Sequence, residues 1–141
     1  KDKPINPMKQ LVAAGATFIA RTTATNPKHL LKMMDKAMDH DGFSVIECLS
    51  ECVEFYPGAF DKSNPRKGGE FKEIPEDHDL TSELEAYKLA DDPFPGYFGV
   101  FYEVTEPTKN ANEAALITAA REKVEGLQDW EILQKTFDRV K

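Results

Sequence analysis

Two short apolar runs flank a helical stripe in this chain, and that pattern constrains the fold more than any other feature. After the small-residue turn at Gly15, the run Thr17-Phe18-Ile19-Ala20 is apolar and β-branched, and a strand is expected over Thr17 to Thr22. Asn26-Pro27 then supplies an N-cap followed by proline at the first helical position. Leu30, Met33, Met34, Ala37 and Met38 recur at i, i+3, i+4, i+7, i+8, the spacing of one helix face. Asp41-Gly42 ends that helix, and Phe43 to Leu49 reads as a second strand. Strand, helix, strand is a βαβ unit, and it predicts an α/β fold with a parallel sheet. Cys52 falls just past the carboxyl end of the second strand, the edge at which open α/β sheets bind ligands. Arg21 lies at the same edge, where an ion pair or solvation outweighs a ligand contact as its expected role.

The flanking segments extend this unit. Lys1 to Ile5 reads as an extended lead-in, and Asn6-Pro7 repeats the cap-plus-proline signal. A short helix is expected from Pro7 to about Ala14, with Met8, Leu11 and Val12 on one face and Gly15 at C′. His29 and His40, near the two ends of the next helix, are expected to be solvated or capping. Val53 to His78 is a long loop, and its aromatics Phe55, Tyr56, Phe60 and Phe71 predict packing on another subunit or on a further part of its own. Its basic residues Lys62, Arg66 and Lys67 are expected to be solvated, or to steer an acidic partner. Ser82 with Glu85 forms a capping box for a helix to about Ala90. Asp91 to Gly96 is a turn, and Tyr97 to Thr105 a strand that joins the sheet. Asn110, with Glu113 at N3, is expected to cap a helix whose stripe is Leu116, Ile117, Ala120 and Val124, closed by Gly126. Asp129 is expected to cap a last helix in which Trp130, Leu133, Phe137 and Val140 form a narrow seam, suited to one partner helix or to the chain's own sheet.

The totals exclude several function classes. The net charge of −7 argues against nucleic acid as a partner, since phosphate binding needs clustered Lys and Arg. No apolar run approaches the roughly 20 residues that span a membrane, and no signal-peptide core is visible. The two cysteines, Cys48 and Cys52, do not suggest a disulfide scaffold, and a reducing cytoplasm is the simpler reading. Cys48, within a strand, is expected in the core. Cys-x3-Cys is a weak metal signal, because zinc would want two more ligands. P-loop, dinucleotide, nucleophile-elbow and zincin motifs are all absent, and none of the 25 carboxylates forms a convincing catalytic pair. No catalytic and no cofactor-binding residue is therefore assigned.

The strings GATFIAR, NPKHL and H-x-GFSVIE-x-LSEC, followed by HDLTSELEAYKLA and GVFYEV-x-EPT, resemble the C-terminal portion of the thiamine-diphosphate-binding β subunit of 2-oxoacid:ferredoxin oxidoreductases. The resemblance covers about Asn6 to Thr108 and not the final helices. It implies a domain over 1–108 that is the C-terminal part of a thiamine-diphosphate-binding fold, with the loop 53–78, and a helical C-terminal extension over 109–141. It implies that Cys52 is one thiolate ligand of a 4Fe-4S cluster whose other ligands lie elsewhere in the subunit. Glu51 stands where the family usually has proline, so the family's reduction potential does not carry over. No Gly-Asp-Gly and no Cys-x-x-Cys occurs here, so thiamine diphosphate and Mg2+ would be held by the remainder of the β subunit. The implied activity is coenzyme A-dependent oxidative decarboxylation of a 2-oxoacid, with electrons passed to ferredoxin and with an α, or α plus γ, subunit as partner. The SECVEFYPGAFD run looks more like the 2-oxoglutarate type than the pyruvate type. Two other readings stand beside it. One is a non-catalytic α/β interaction domain that keeps the fold without cofactor binding. The other is a small redox or metal protein built on Cys48 and Cys52.

Overall fold

The computed structural model describes residues 4–138. It forms two compact units, Lys1–Glu106 and Pro107–Lys141. In the first unit, helix α1 (Pro7–Ala13) precedes strand β1 (Phe18–Thr23), helix α2 (Pro27–Asp39), strand β2 (Ser44–Leu49), helix α3 (Glu83–Ala90) and strand β3 (Gly99–Glu103). The second unit holds helices α4 (Lys109–Val124) and α5 (Asp129–Asp138).

The βαβ unit forms as its residues dictate. Asn26 accepts the backbone N–H of His29, and Pro27 opens α2. β1 and β2 pair in parallel, with Phe18 beside Ser44 and Thr23 beside Leu49. The two strands therefore end at one edge of the sheet. Gly42 is required by a close approach: a Cβ there would lie 2.3 Å from Thr17 Oγ1 and 2.6 Å from His40 Nε2. Thr17 Oγ1 accepts the Phe43 N–H at 2.9 Å and lies 2.9 Å from His40 Nε2, so the entry to β2 is tied to the start of β1. Gly15 takes φ +77° immediately after the C-cap of α1, which L side chains rarely adopt.

β3 completes a sheet of order β2-β1-β3, and it runs antiparallel to β1. The parallel βαβ core is thus extended by an antiparallel strand. The register shifts between Ile19 and Ala20, which face Tyr102 and Val100 respectively, leaving Phe101 as the extra residue of a bulge. The bulge puts both Phe101 and Tyr102 in the core that α1 and α3 form with Ile19. Phe18, Ala20 and Val100 pack on Met33 of α2 in a second core. The sheet is sandwiched between α1 and α3 on one face and α2 on the other, so β1 is buried along its whole length.

Several expectations are corrected. β1 and β2 begin one residue later than predicted, and β3 is confined to 99–103 because Phe98 pairs instead with Glu73 in an isolated bridge. His29 is buried rather than solvated. Only part of the α2 stripe is buried: Met33 is covered, whereas Met34 and Met38 are exposed. Cys48 is exposed, not in the core, because β2 is an edge strand. Thr108, not Asn110, caps α4 by accepting the Ala111 N–H at 3.2 Å. Asp129 lies inside α5. Gln128 precedes it, donating its N–H to Glu131 Oε2 at 2.8 Å and accepting from Ile132 N–H at 3.2 Å. Trp130, Leu133 and Phe137 of the seam are all exposed, and Val140 lies outside the described residues.

Candidate metal-ligand site at the carboxyl edge of the sheet

Arg21 and Glu47 are cross-strand neighbours near the ends of β1 and β2. Arg21 Nε lies 2.5 Å from Glu47 Oε2, and Arg21 Nη1 donates to the Pro95 carbonyl at 3.2 Å. Its guanidinium also stacks over the Phe101 ring, 5.3 Å from the centroid. Arg21 is 7% exposed, so these contacts satisfy a buried cation. The ion-pair role expected for Arg21 is what the structure shows.

Beyond β2 the chain leaves the sheet and turns at Cys52. The Cys52 carbonyl accepts the Tyr56 N–H at 2.9 Å, closing one turn. The Glu51 carboxylate accepts the Gly58 N–H. The Tyr56 ring stacks on Phe94 with centroids 6.5 Å apart, and Phe94 lies 5.6 Å from Phe60, which is buried. Cys52 itself is a free, exposed thiol, as is Cys48. Among the described residues, no group of three or more His, Cys, Asp or Glu converges to hold a metal. An exposed cysteine here would suit a cluster as one donor only, and any further ligands would have to come from outside the described residues.

The rest of the long loop is ordered by its aromatics and by short 3-10 turns at Asp61–Ser63 and Pro65–Lys67. Phe71 stacks on Phe98 with centroids 4.4 Å apart and rings 10° from parallel. Phe55 and Tyr56 project from the surface. Of the three basic residues, Lys67 pairs with Asp61 at 2.6 Å, which raises its pKa and reduces the positive field of the group.

A recess lies on the α2 face of the sheet. It has a volume of about 250 Å³ and is lined by His29, Lys32, Lys36, Glu73, Glu76 and His78 among others. His29 Nδ1 lies 2.8 Å from Thr22 Oγ1, and its ring meets the edge of Phe71. Burial lowers the His29 pKa below its ordinary 6.5, nearby Glu73 raises it, and Lys32 lowers it further. Sequence reasoning missed this residue, although a signal was present: His29 precedes Met33 by four residues and so shares its inward face. It also missed the Glu51–Gly58 tether, for which no local pattern exists.

No protein-family model matches the chain. Over 51 residues it is 41% identical to the 2-oxoglutarate synthase subunit KorB of Archaeoglobus fulgidus, covering 36% of this chain and 19% of that protein. It is 40% identical over 51 residues to the 2-oxoacid:ferredoxin oxidoreductase subunit beta of Saccharolobus solfataricus, covering 36% and 17% respectively. In fold it matches a 2-oxoglutarate:ferredoxin oxidoreductase from Magnetococcus marinus, a structure with 2-oxoglutarate, coenzyme A and succinyl-CoA bound. That match has a TM-score of 0.71 at 28% identity, over 94% of this chain and 45% of that one. The chain is similar to the 2-oxoacid:ferredoxin oxidoreductase β subunits. The resemblance carried by GATFIAR and LSEC is thus borne out in both sequence and fold. The matches span less than a fifth of these curated relatives and under half of the solved chain, which fits a C-terminal portion of such a subunit. Among the described residues, no helix is long and apolar enough to cross a membrane.

Proposed function

We propose that this chain is the C-terminal portion of a 2-oxoacid:ferredoxin oxidoreductase β subunit, and that the complete enzyme converts 2-oxoglutarate and coenzyme A to succinyl-CoA and CO2, reducing ferredoxin. The observation that carries this reading is the fold match, which extends over 94% of the chain. The identity to 2-oxoglutarate synthase subunits supports 2-oxoglutarate over other 2-oxoacids. Residues 1–108 are the catalytic subunit's own domain in this reading, and 109–141 a helical extension. The parallel edge strand β2, only half buried, is the kind of edge that the remainder of a larger sheet would continue. The exposed Phe55 and Tyr56 mark a surface for the remainder of the β subunit or for an α, or α plus γ, partner.

Thiamine diphosphate with Mg2+, held elsewhere in the subunit, would supply the carbon chemistry, and a 4Fe-4S cluster the one-electron transfer. What this chain contributes is structural and electronic. Cys52 offers one thiolate at the carboxyl edge of the sheet, exposed and so open to a cluster. The pair of buried Arg21 with half-buried Glu47 holds the two parallel strand ends in register beneath that edge. The activity would be cytoplasmic, where thiols stay reduced and ferredoxin is available.

The test uses the complete subunit with its partner. Iron and acid-labile sulfide are measured per subunit, along with 2-oxoglutarate- and coenzyme A-dependent reduction of ferredoxin. Cys52→Ala is expected to lose the cluster and ferredoxin reduction, whereas Cys48→Ala keeps both. Full iron and sulfide in Cys52→Ala would remove Cys52 from the ligand set. A complete subunit that binds neither thiamine diphosphate nor iron would instead support the interaction-domain reading.

A further inference from the structure

The segment that carries Cys52 has little burial to hold it. Val53 is 77% exposed and Phe55 is 90% exposed, so neither offsets the conformational entropy lost on ordering 51–58. Beside the turn bonds from the Ala59 N–H to the Tyr56 carbonyl and from the Asp61 N–H to the Gly58 carbonyl, three contacts hold it. The Tyr56 N–H donates to the Cys52 carbonyl, the Tyr56 ring stacks on Phe94, and the Glu51 carboxylate accepts the Gly58 N–H. The aromatic contact is anchored to the sheet. Phe94 sits in the turn between α3 and β3, and that turn is pinned at Pro95 by buried Arg21 and at Asp92 by Lys72. The Glu51–Gly58 bond ties the exit of β2 to the turn that precedes buried Phe60, and so closes the loop directly around Cys52.

We propose that Glu51 is a positioning residue that closes the 51–58 loop through Gly58 and so fixes the direction in which Cys52 leaves the sheet. Its acceptor oxygen does this, not its charge. The consequence for a metal rests on Cys52 being a ligand, but the positioning itself does not.

The experiment separates acceptor from charge in the full chain carrying Cys48→Ser, with a nitroxide label on Cys52. Amide exchange at Gly58 and the lineshape of the label are followed in Glu51→Ala and Glu51→Gln, and thermal melting confirms an unchanged global fold. Glu51→Ala is expected to speed Gly58 exchange about tenfold or more and to sharpen the label spectrum to that of a mobile tether. Glu51→Gln keeps a carbonyl oxygen at the same reach and is expected to stay near the wild type in both. Glu51→Gln behaving like Glu51→Ala would overturn the proposal in favour of charge, and an unchanged Glu51→Ala would overturn the tether itself. Neither measurement depends on a cluster. Loss of the ligand reading, through full iron in Cys52→Ala, is therefore distinguishable from loss of this one.

Discussion

At the scale of single residues, burial decides what each polar group does. His29 is the clearest case. Its imidazole is buried between Thr22 and Phe71, and burial is the main cause of its lowered pKa. The folded state thus binds its proton less readily than the unfolded chain, whose histidine titrates near 6.5. Between these two pKa values the unfolded state carries more protons, so stability rises with pH there. The contribution is fully present above about pH 6.5 and is lost as pH falls towards the folded value. The urea midpoint is therefore expected to drop between pH 7.5 and pH 5 by more in the wild type than in His29→Asn. Equal drops in the two proteins would show that His29 does not carry this dependence. Arg21 illustrates the opposite solution, a buried charge retained because Glu47, Pro95 and Phe101 all meet it.

At the scale of elements, the caps do two jobs. Asn6 caps α1 by accepting the Lys9 N–H, and its amide donates to the Ala90 carbonyl at 2.7 Å, at the end of α3. One side chain therefore starts one helix and finishes its neighbour, beside the Lys9–Asp91 pair that links the same two helices. Asn6→Ala is expected to cost about 1–2 kcal/mol in urea denaturation. Asn6→Asp keeps the cap acceptor but cannot donate to Ala90, and is expected to recover only part of that loss. A full recovery would mean that the Ala90 contact contributes nothing. The capping signals were legible in the sequence at Asn6-Pro7 and Asn26-Pro27, where a proline follows the cap and an apolar helix face follows the proline. They were misplaced where several cap-capable residues compete, and Thr108 rather than Asn110 starts α4. The reason is that Ser, Thr, Asp and Asn all cap well, and the choice among close neighbours depends on how the chain enters the helix.

At the scale of the whole molecule, the two units differ in what holds them. The cores of Lys1–Glu106 enclose Phe18, Ile19, Phe98 and Phe101 completely, each worth about 1.5–3 kcal/mol of burial. By contrast, neither α4 nor α5 has a buried residue among those described, and Leu116, Trp130, Leu133 and Phe137 are exposed. Helices of this length are marginal in water without tertiary packing. A chain ending at Glu106 is expected to keep a cooperative thermal transition, and a peptide of 107–141 to show little helix by circular dichroism at micromolar concentration. A cooperative melt from that peptide would mean that its own contacts suffice.

Local chemistry in the sequence was enough to determine the βαβ core, the helix starts at proline, the turn at Gly15 and the family resemblance, because each depends on residues close in the chain. It was also enough to single out Cys52, through its place after β2 and the resemblance of LSEC. Only the tertiary structure decided the direction of β3, the bulge at Phe101, the burial of His29, the exposure of Cys48 and the tether from Glu51 to Gly58. Each of these depends on which distant segment arrives as a neighbour. Arg21 meets Glu47 from the next strand and Pro95 from a turn far along the chain, and no periodicity in either segment records that meeting. Hydrophobic pattern specifies which face of an element turns inward, whereas the cover that element receives is set by packing. That is why Met33 is buried while Met34 and Met38, in the same stripe, are not.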